Sequence, residues 1–203
     1  MITIENVTVA GWIPAIRGMR NPLNSWAASD SVNDLIGPKD ADLMKRLITA
    51  GTPDRKFLRM ITVWCDITAP SGLWWPEFDT YKVGTVRNSC SKMHKLHSRD
   101  LTREDFSTDN LDDEGLVLLD HTIAAINRYR ALYSMTHEKQ HWRRMLELLP
   151  ISYNQRSTVM MNYEVLRNMY FTRRHHKLQE WRDFCAWIET LPNSWLITME
   201  VER

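Results

Sequence analysis

Cysteine is scarce in this sequence. Three occur in 203 residues, Cys65, Cys90 and Cys185, too few and too dispersed for a disulfide framework, and this predicts a reducing compartment. Long apolar runs are missing too, with no stretch near the roughly twenty residues that cross a bilayer. The opening residues, MITIENVTVAGW, place no basic segment ahead of an apolar one, so no secretory signal is expected. An excess of either charge is absent. A formal net charge of +1 argues against a nucleic-acid polymer or an anionic membrane as the main partner, and leaves room for a small, locally recognised anion. No internal repeat or low-complexity tract is visible. The expectation is a cytoplasmic protein.

Tryptophan and methionine are plentiful, at nine and eleven residues. Such side chains fill cores and subunit contacts, so an oligomer is expected. With 43% hydrophobic and 25% charged residues the composition is that of a folded chain, and its length suits one domain, 1–203.

Along the chain, Ile2, Ile4, Val7 and Val9 sit among polar residues as an opening strand with a break near Asn6. Gly18 to Asn33 is turn-rich, with room for a short helix around Trp26. Pro38 starts a helix whose apolar face is Leu43, Met44, Leu47 and Ile48, ended by Gly51. The clearest strand is Ile61 to Thr68, where Ile61, Val63, Cys65 and Ile67 alternate with Thr62, Trp64, Asp66 and Thr68. A helix within Leu73 to Val83 carries Trp74, Trp75 and Phe78. An acidic loop from Asp100 to Glu114 precedes a long amphipathic helix through Leu116, Leu119, Ile123, Ile126 and Tyr133, and His141 to Leu149 gives another. Trp195, Ile197, Met199 and Val201 alternate as a terminal strand. The sum is a mixed α/β domain with five or six helices and a small sheet.

Two patterns with metal-ligand residues carry little weight. Cys90, His94 and His97 offer soft and imidazole ligands close together, but structural zinc takes four ligands and no second pair stands out. His137-Glu138-Lys139-Gln140-His141 matches His-Glu-x-x-His literally. Its polar surroundings and missing third ligand make it a solvated helix start, and no metal is expected. No cysteine has a convincing His and Asn or Asp partner for thiol chemistry.

The most informative stretch is Leu148 to Trp187, LLPISYNQRSTVMMNYEVLRNMYFTRRHHKLQEWRDFCAW. Pro150 stops a helix, and Ser152 to Arg156 reads as a polar turn. From Val159 apolar residues return at helical spacing through Tyr163, Leu166, Met169 and Tyr170. Asn162 and Asn168 interrupt that helix, as satisfied amides or as the lining of a polar pocket. The basic run Arg173 to Lys177 reads by default as a solvated helix end. Leu149-Pro150, then Asn162, Leu166, Asn168, Arg173 and Gln179 at their offsets, resembles the flavin-dependent thymidylate synthases, which methylate dUMP. That family carries Asn-x-Arg-x-Leu-x-Asn-Phe at this distance from Leu-Pro. Leu47-Ile48-Thr49-Ala50-Gly51 is similar to the family's helix end before a Thr-rich strand.

The departures are as informative as the matches. Glu164 stands where the family has an arginine, and so does Leu146. The link Thr52-Pro53-Asp54-Arg55 lacks the family's His-x-Ser and Glu-His signature. Phe78, Val83 and Ser89 fall in register with the family's flavin- and substrate-contacting element, Arg-His-Arg-x-x-Ser, but Gly84-Thr85-Val86 replaces Arg-His-Arg. Gly, Thr and Val cannot supply the planar donor forks of arginine. Gly84 to Ser91 reads equally as an ordinary polar turn or as a phosphate-binding loop.

The resemblance implies the mixed α/β fold of that family and a homotetramer with sites between subunits. It implies that Arg173 reaches the nucleotide. The candidate nucleotide-binding residues are Arg87, Ser89, Ser91, Lys92, Asn162, Asn168, Arg173 and Gln179; no catalytic residue is assigned. Loss of several cationic anchors implies no bound cofactor. The expected function is therefore binding of a phosphorylated nucleotide without methylation, to sequester or sense it, as a divergent copy in a bacterial virus or prophage would. The alternative is an active FAD-dependent enzyme in which Arg87, Lys92 and Arg156 stand in for the lost groups. A ligand-free structural or inhibitory oligomer is the third reading.

Overall fold

The computed structural model describes residues 2–33 and 35–201. Four strands, β1 (Thr3–Ala10), β2 (Thr62–Pro70), β3 (Thr85–Ser89) and β4 (Asn154–Asn162), form an antiparallel sheet in the order β1-β2-β4-β3. The helices among the described residues are α1 (Trp12–Arg20), α2 (Pro38–Ala50), α3 (Trp75–Phe78), α4 (Lys92–Lys95), α5 (Asp113–Thr136), α6 (Lys139–Leu148), α7 (Tyr163–Arg173), α8 (Gln179–Glu189) and α9 (Trp195–Thr198). Short 3₁₀ turns include Arg55–Met60 and Arg103–Asp105. This is the mixed α/β fold that the sequence predicts. The residues gather into two compact units. One holds the chain up to Ile4 with Ile67–Thr80 and Asn88–Thr158; the other holds Glu5–Asp66, Tyr81–Arg87 and the chain from Val159 onward.

In the first unit α5 packs on α6 around Leu101, Phe106, Leu119, Ile123, Ile126 and Met145. Asp112 caps α5 by accepting from the Gly115 N–H at 2.9 Å. Asn127 exchanges two hydrogen bonds with the Leu101 backbone, at 2.8 and 2.9 Å, and so ties the acidic connection to α5. Trp74, Trp75 and Phe78 are buried with ring centroids 4.9 to 5.3 Å apart. The Trp75 indole N–H donates to the Gln155 carbonyl at 2.9 Å, and the Gln155 amide donates to the Cys90 carbonyl at 2.7 Å. His137 closes α5 in the left-handed region at φ 55°, while Glu138 is the N-cap of α6. The two histidines of the His-Glu-x-x-His match thus lie on different elements. Among the described residues no group of three His, Cys, Asp or Glu side chains could hold a metal ion.

The second unit packs α1, α2, α7, α8 and α9 around Trp12, Met44, Ile48, Leu166, Trp181 and Phe184, all buried. The 3₁₀ turn Arg55–Met60 sends Phe57 and Leu58 into this core and leaves its cations outside. Gly11, between β1 and α1, sits at φ 102° with the Met60 carbonyl oxygen 2.1 Å from where a Cβ would be, so no larger residue fits there. The thiols of Cys65 and Cys185 are buried and pushed up to about 12, by desolvation first and then by Asp66 and Glu189 respectively. Both thiols are therefore held protonated at neutral pH, whereas Cys90 is exposed.

Several elements differ from the sequence expectation. Asn154–Asn162 is a strand, where the pattern predicts a polar turn and then a helix from Val159. Its buried positions are Gln155, Ser157, Val159 and Met161. The period of two is present but carried half by polar residues, which hides it from a hydrophobicity count. Thr85–Ser89 is also a strand rather than a turn or loop. Trp195–Thr198 is helical, not a strand. Adjacent Leu196 and Ile197 are both fully buried, which a strand allows only when both its faces are covered. The turn begins after Asn193, whose φ of 52° reverses the chain. Helix α1 was not expected at all.

The main polar feature of the second unit is a buried ion pair. Arg20 Nε donates to Asp40 Oδ1 at 2.6 Å, both side chains being almost inaccessible. Asp40 Oδ2 accepts from the Ser29 and Ser31 hydroxyls at 2.7 and 2.6 Å, and from the Asp30 and Ser31 N–H groups. Burial alone would raise this carboxyl, but the bonds from Ser31, Ser29 and Arg20 hold it down at about 2, against an ordinary 3.8. The folded carboxylate therefore stabilises the protein by about 2 kcal/mol above the ordinary value. That contribution falls away as the pH drops from 3.8 towards 2, where the unfolded chain takes up the proton first. Asp40→Ala strands the buried guanidinium and should cost about 3–5 kcal/mol at pH 7. Urea denaturation followed by circular dichroism checks both, and the variant should also lose the acid-dependent component between those pH values.

Candidate functional site

The second unit contains an open cleft of about 1050 Å³. Thr52, Arg55 and Arg59 come from the link and 3₁₀ turn ahead of β2. Val83 and Gly84 come from the approach to β3. Glu164, Arg167, Asn168 and Arg174 come from α7 and its end, and Glu200 and Val201 follow α9. Asn162, at the head of α7, completes the polar lining.

Helix α7 is placed by its first residues. Asn162 is its N-cap, and the side-chain oxygen accepts from the Val165 N–H at 2.9 Å. The Tyr163 N–H donates to the Ile61 carbonyl at 3.0 Å, and the Tyr163 hydroxyl donates to the Pro192 carbonyl. Tyr163, Leu166, Met169 and Tyr170 then face the core. Asn162 thus caps the helix from outside it and does not interrupt its apolar face. Asn168 is exposed towards the cleft.

Among the described residues four guanidinium groups and two carboxylates line the cleft, an excess of two positive charges. Arg55 donates from Nε to both oxygens of Glu164, at 3.1 and 3.0 Å. Arg174 pairs with Glu200 at 2.8 Å and lies over the Phe171 ring at 5.1 Å. Arg167 is buried, donates to the Ile197 carbonyl at 2.7 Å and lies 4.7 Å from the centre of the Phe171 ring. Burial, then the neighbouring charge of Arg55, pushes its pKa below the ordinary arginine value, against a smaller opposing pull from Glu164. Arg59 is exposed and has no hydrogen-bonding or charged partner among the described residues.

Gly84 is part of this arrangement. It has φ 93°, and a Cβ added there would stand 2.7 Å from the Asn162 amide nitrogen. The capping asparagine occupies the space that a side chain at position 84 would need. Thr85, next in the chain, donates its hydroxyl to the Tyr81 carbonyl at 2.7 Å.

Of the eight residues expected to bind nucleotide, Asn162 and Asn168 line the cleft. Arg173 lies in the same unit but outside that lining. Its Nε donates to the Tyr81 hydroxyl at 2.9 Å, and its guanidinium lies 4.9 Å from the Trp181 ring centre and 5.6 Å from that of Tyr81. Arg87 is half-buried on β3. Gln179 begins α8, exposed, donating to Asp183 at 2.6 Å and accepting from Arg182 at 3.1 Å. Ser89, Ser91 and Lys92 belong to the first unit. Ser91 caps α4 by accepting from the His94 N–H at 3.3 Å. Sequence reasoning missed Arg55, Arg59, Arg167, Arg174 and Glu200 as cleft residues. The signal for one of them was present: Arg167 lies on a helix between Leu166 and Met169, where charge is unusual.

No family model matches the chain, and no curated protein sequence matches it. Solved structures do match its fold. The structure of thymidylate synthase X (ThyX) from Helicobacter pylori with FAD and dUMP aligns with a TM-score of 0.76 at 18% identity, covering 98% of each chain. A second structure of the Helicobacter pylori enzyme, complexed with FAD and dUMP, gives 0.72 at 18% identity over 98% of this chain and 99% of that one. A UMP/dUMP methylase, PolB, from Streptomyces cacaoi, bound with 5-Br dUMP, gives 0.62 at 14% identity over 94% and 89%. Across nearly its whole length, then, the chain has the fold of the flavin-dependent thymidylate synthases.

Proposed function

We propose that the chain binds a phosphorylated pyrimidine nucleotide in the cleft of its second unit and does not methylate it. The observation that carries this is the convergence of Arg55, Arg59, Arg167 and Arg174 with Asn162 and Asn168 in one open cavity. Guanidinium forks match phosphate oxygens, and an amide can both donate to and accept from a base or ribose. The dUMP or 5-Br dUMP bound by the structural neighbours supports the choice of a pyrimidine nucleotide.

The case against methylation is chemical. The three residues at the place of Arg-His-Arg bring a single hydroxyl, already engaged with Tyr81, and Gly84 has no room for a side chain beside Asn162. At those three positions the chain therefore offers no cationic fork, where the resemblance expects two. The reading includes a homotetramer, in which Ser89, Ser91, Lys92, Arg87, Arg173 and Gln179 remain candidates to complete the site. It also includes a role in sequestering or sensing the nucleotide, as in a bacterial virus. The second reading, an active flavin enzyme, is favoured by the FAD in two of the neighbours. The two readings part on colour: the purified protein should be colourless and should not oxidise NADPH when dUMP is added. Stoichiometric FAD retained through gel filtration would establish the enzyme reading instead.

Titration calorimetry with dUMP tests the binding site. Arg174→Ala should weaken binding by about 1.5–3 kcal/mol, roughly ten- to over a hundredfold. Arg17→Ala, on the exposed side of α1, controls for overall charge and should leave binding unchanged. A larger loss from Arg173→Ala than from Arg174→Ala would move the nucleotide out of the cleft to the side of Tyr81 and Trp181. Equal losses from Arg17→Ala and Arg174→Ala would reduce the site to a diffuse basic surface.

A further inference from the structure

We infer that the 3₁₀ turn Arg55–Met60 is the phosphate-binding wall of the cleft, with Arg55 and Arg59 as the two guanidinium groups that grip a phosphoryl or pyrophosphate group. The inference rests on the nucleotide reading of the cleft and assigns the anionic end of the ligand within it. The turn is anchored by its middle, since Phe57 and Leu58 are buried in the core. Of its three cations, Arg55 and Arg59 line the cleft and Lys56 does not. A short element pinned by two apolar side chains is a rigid base for two long ones, which lowers the entropy lost when a ligand fixes them.

The donor count points the same way. Glu164 takes the Nε edge of Arg55 and, among the described residues, nothing takes its two terminal nitrogens. The Arg59 guanidinium has no protein partner among the described residues. Arg174 and Arg167 are by contrast held by Glu200, the Ile197 carbonyl and the Phe171 ring. The unspent donors of the cleft are therefore concentrated on one turn. Arg55 also lies close enough to the buried Arg167 for the two charges to repel. An anion seated on Arg55 relieves that repulsion, so binding gains from both neighbours. Glu164 is a positioning residue here: it holds Arg55 by one edge and leaves the other edge for the ligand.

Calorimetry with inorganic pyrophosphate and, separately, with dUMP tests the assignment, using wild type, Arg59→Ala, Arg59→Lys and Lys56→Ala. Arg59→Ala should bind both ligands at least tenfold more weakly. Arg59→Lys should recover part of the loss, since it restores the charge without the planar fork. Lys56→Ala, one position along the same turn, should match wild type. Thermal melting of Arg59→Ala should be unchanged, as its exposed side chain has no partner among the described residues to lose, so a binding defect cannot come from unfolding. If Arg59→Ala binds both ligands as wild type does while Arg174→Ala weakens dUMP, the phosphate wall is misassigned and the nucleotide reading stands. If wild type binds pyrophosphate through Arg59 but does not bind dUMP, the wall stands and the nucleotide reading falls. Wild type binding neither ligand would overturn both.

Discussion

A hydrogen bond from the Val165 N–H to the Asn162 side chain sets where β4 stops and α7 starts, and α7 supplies the longest wall of the cleft. A helix start leaves several N–H groups without intrahelical partners, and the asparagine satisfies one of them. The same side chain fills the space beside Gly84. Position 84 must then be glycine, both for its positive φ and for the room that the amide takes. One residue thereby links the helix cap, the strand approach and the floor of the cleft. Any side chain at position 84 would require the cap to move first.

The electrostatics follow from where the counter-charges sit. Glu164 of α7 meets Arg55 of the 3₁₀ turn in an ion pair that is about four-fifths buried on both sides. Such pairs contribute little net stability once desolvation is counted, so their value lies in orientation. Arg167 shows the cost of the arrangement. It is buried beside another cation, with one carbonyl, one ring and a nearby carboxylate to offset it. Like charges gathered this way oppose folding unless an anion joins them.

The fold was legible where apolar residues carried the period. β2 reads directly because Val63, Cys65, Ile67 and Ala69 are all buried, and α2 because Pro38 and Gly51 mark its ends. β4 did not, since Gln155 and Ser157 occupy two of its four buried positions, and the Gln155 amide finds its acceptor at Cys90, far away in the sequence. The same blindness covers the cleft. Arg55, Arg59, Arg167 and Arg174 have no spacing that marks them as one site; the turn before β2 and helix α7 meet only in three dimensions. Motif matching reached Asn162 and Asn168 because they lie within one stretch. It singled out Arg173 from the basic run by register, whereas the neighbouring Arg174 is the one that lines the cleft.

The tryptophans answer a different question from the one the composition raised. Their number in the sequence was the reason to expect subunit contacts. Trp12, Trp74, Trp75 and Trp181 are buried, and large aromatic side chains of this kind fill cores as readily as they fill interfaces. Trp181 also forms the ring on which Arg173 rests, so part of the aromatic content serves to place a cation. What remains exposed is Trp26 and Trp64, with Val83 and Val86 beside the glycine of the cleft. Of the expected nucleotide set, Ser89, Ser91 and Lys92 belong to the first unit, whereas Arg173 and Gln179 belong to the second without lining its cleft.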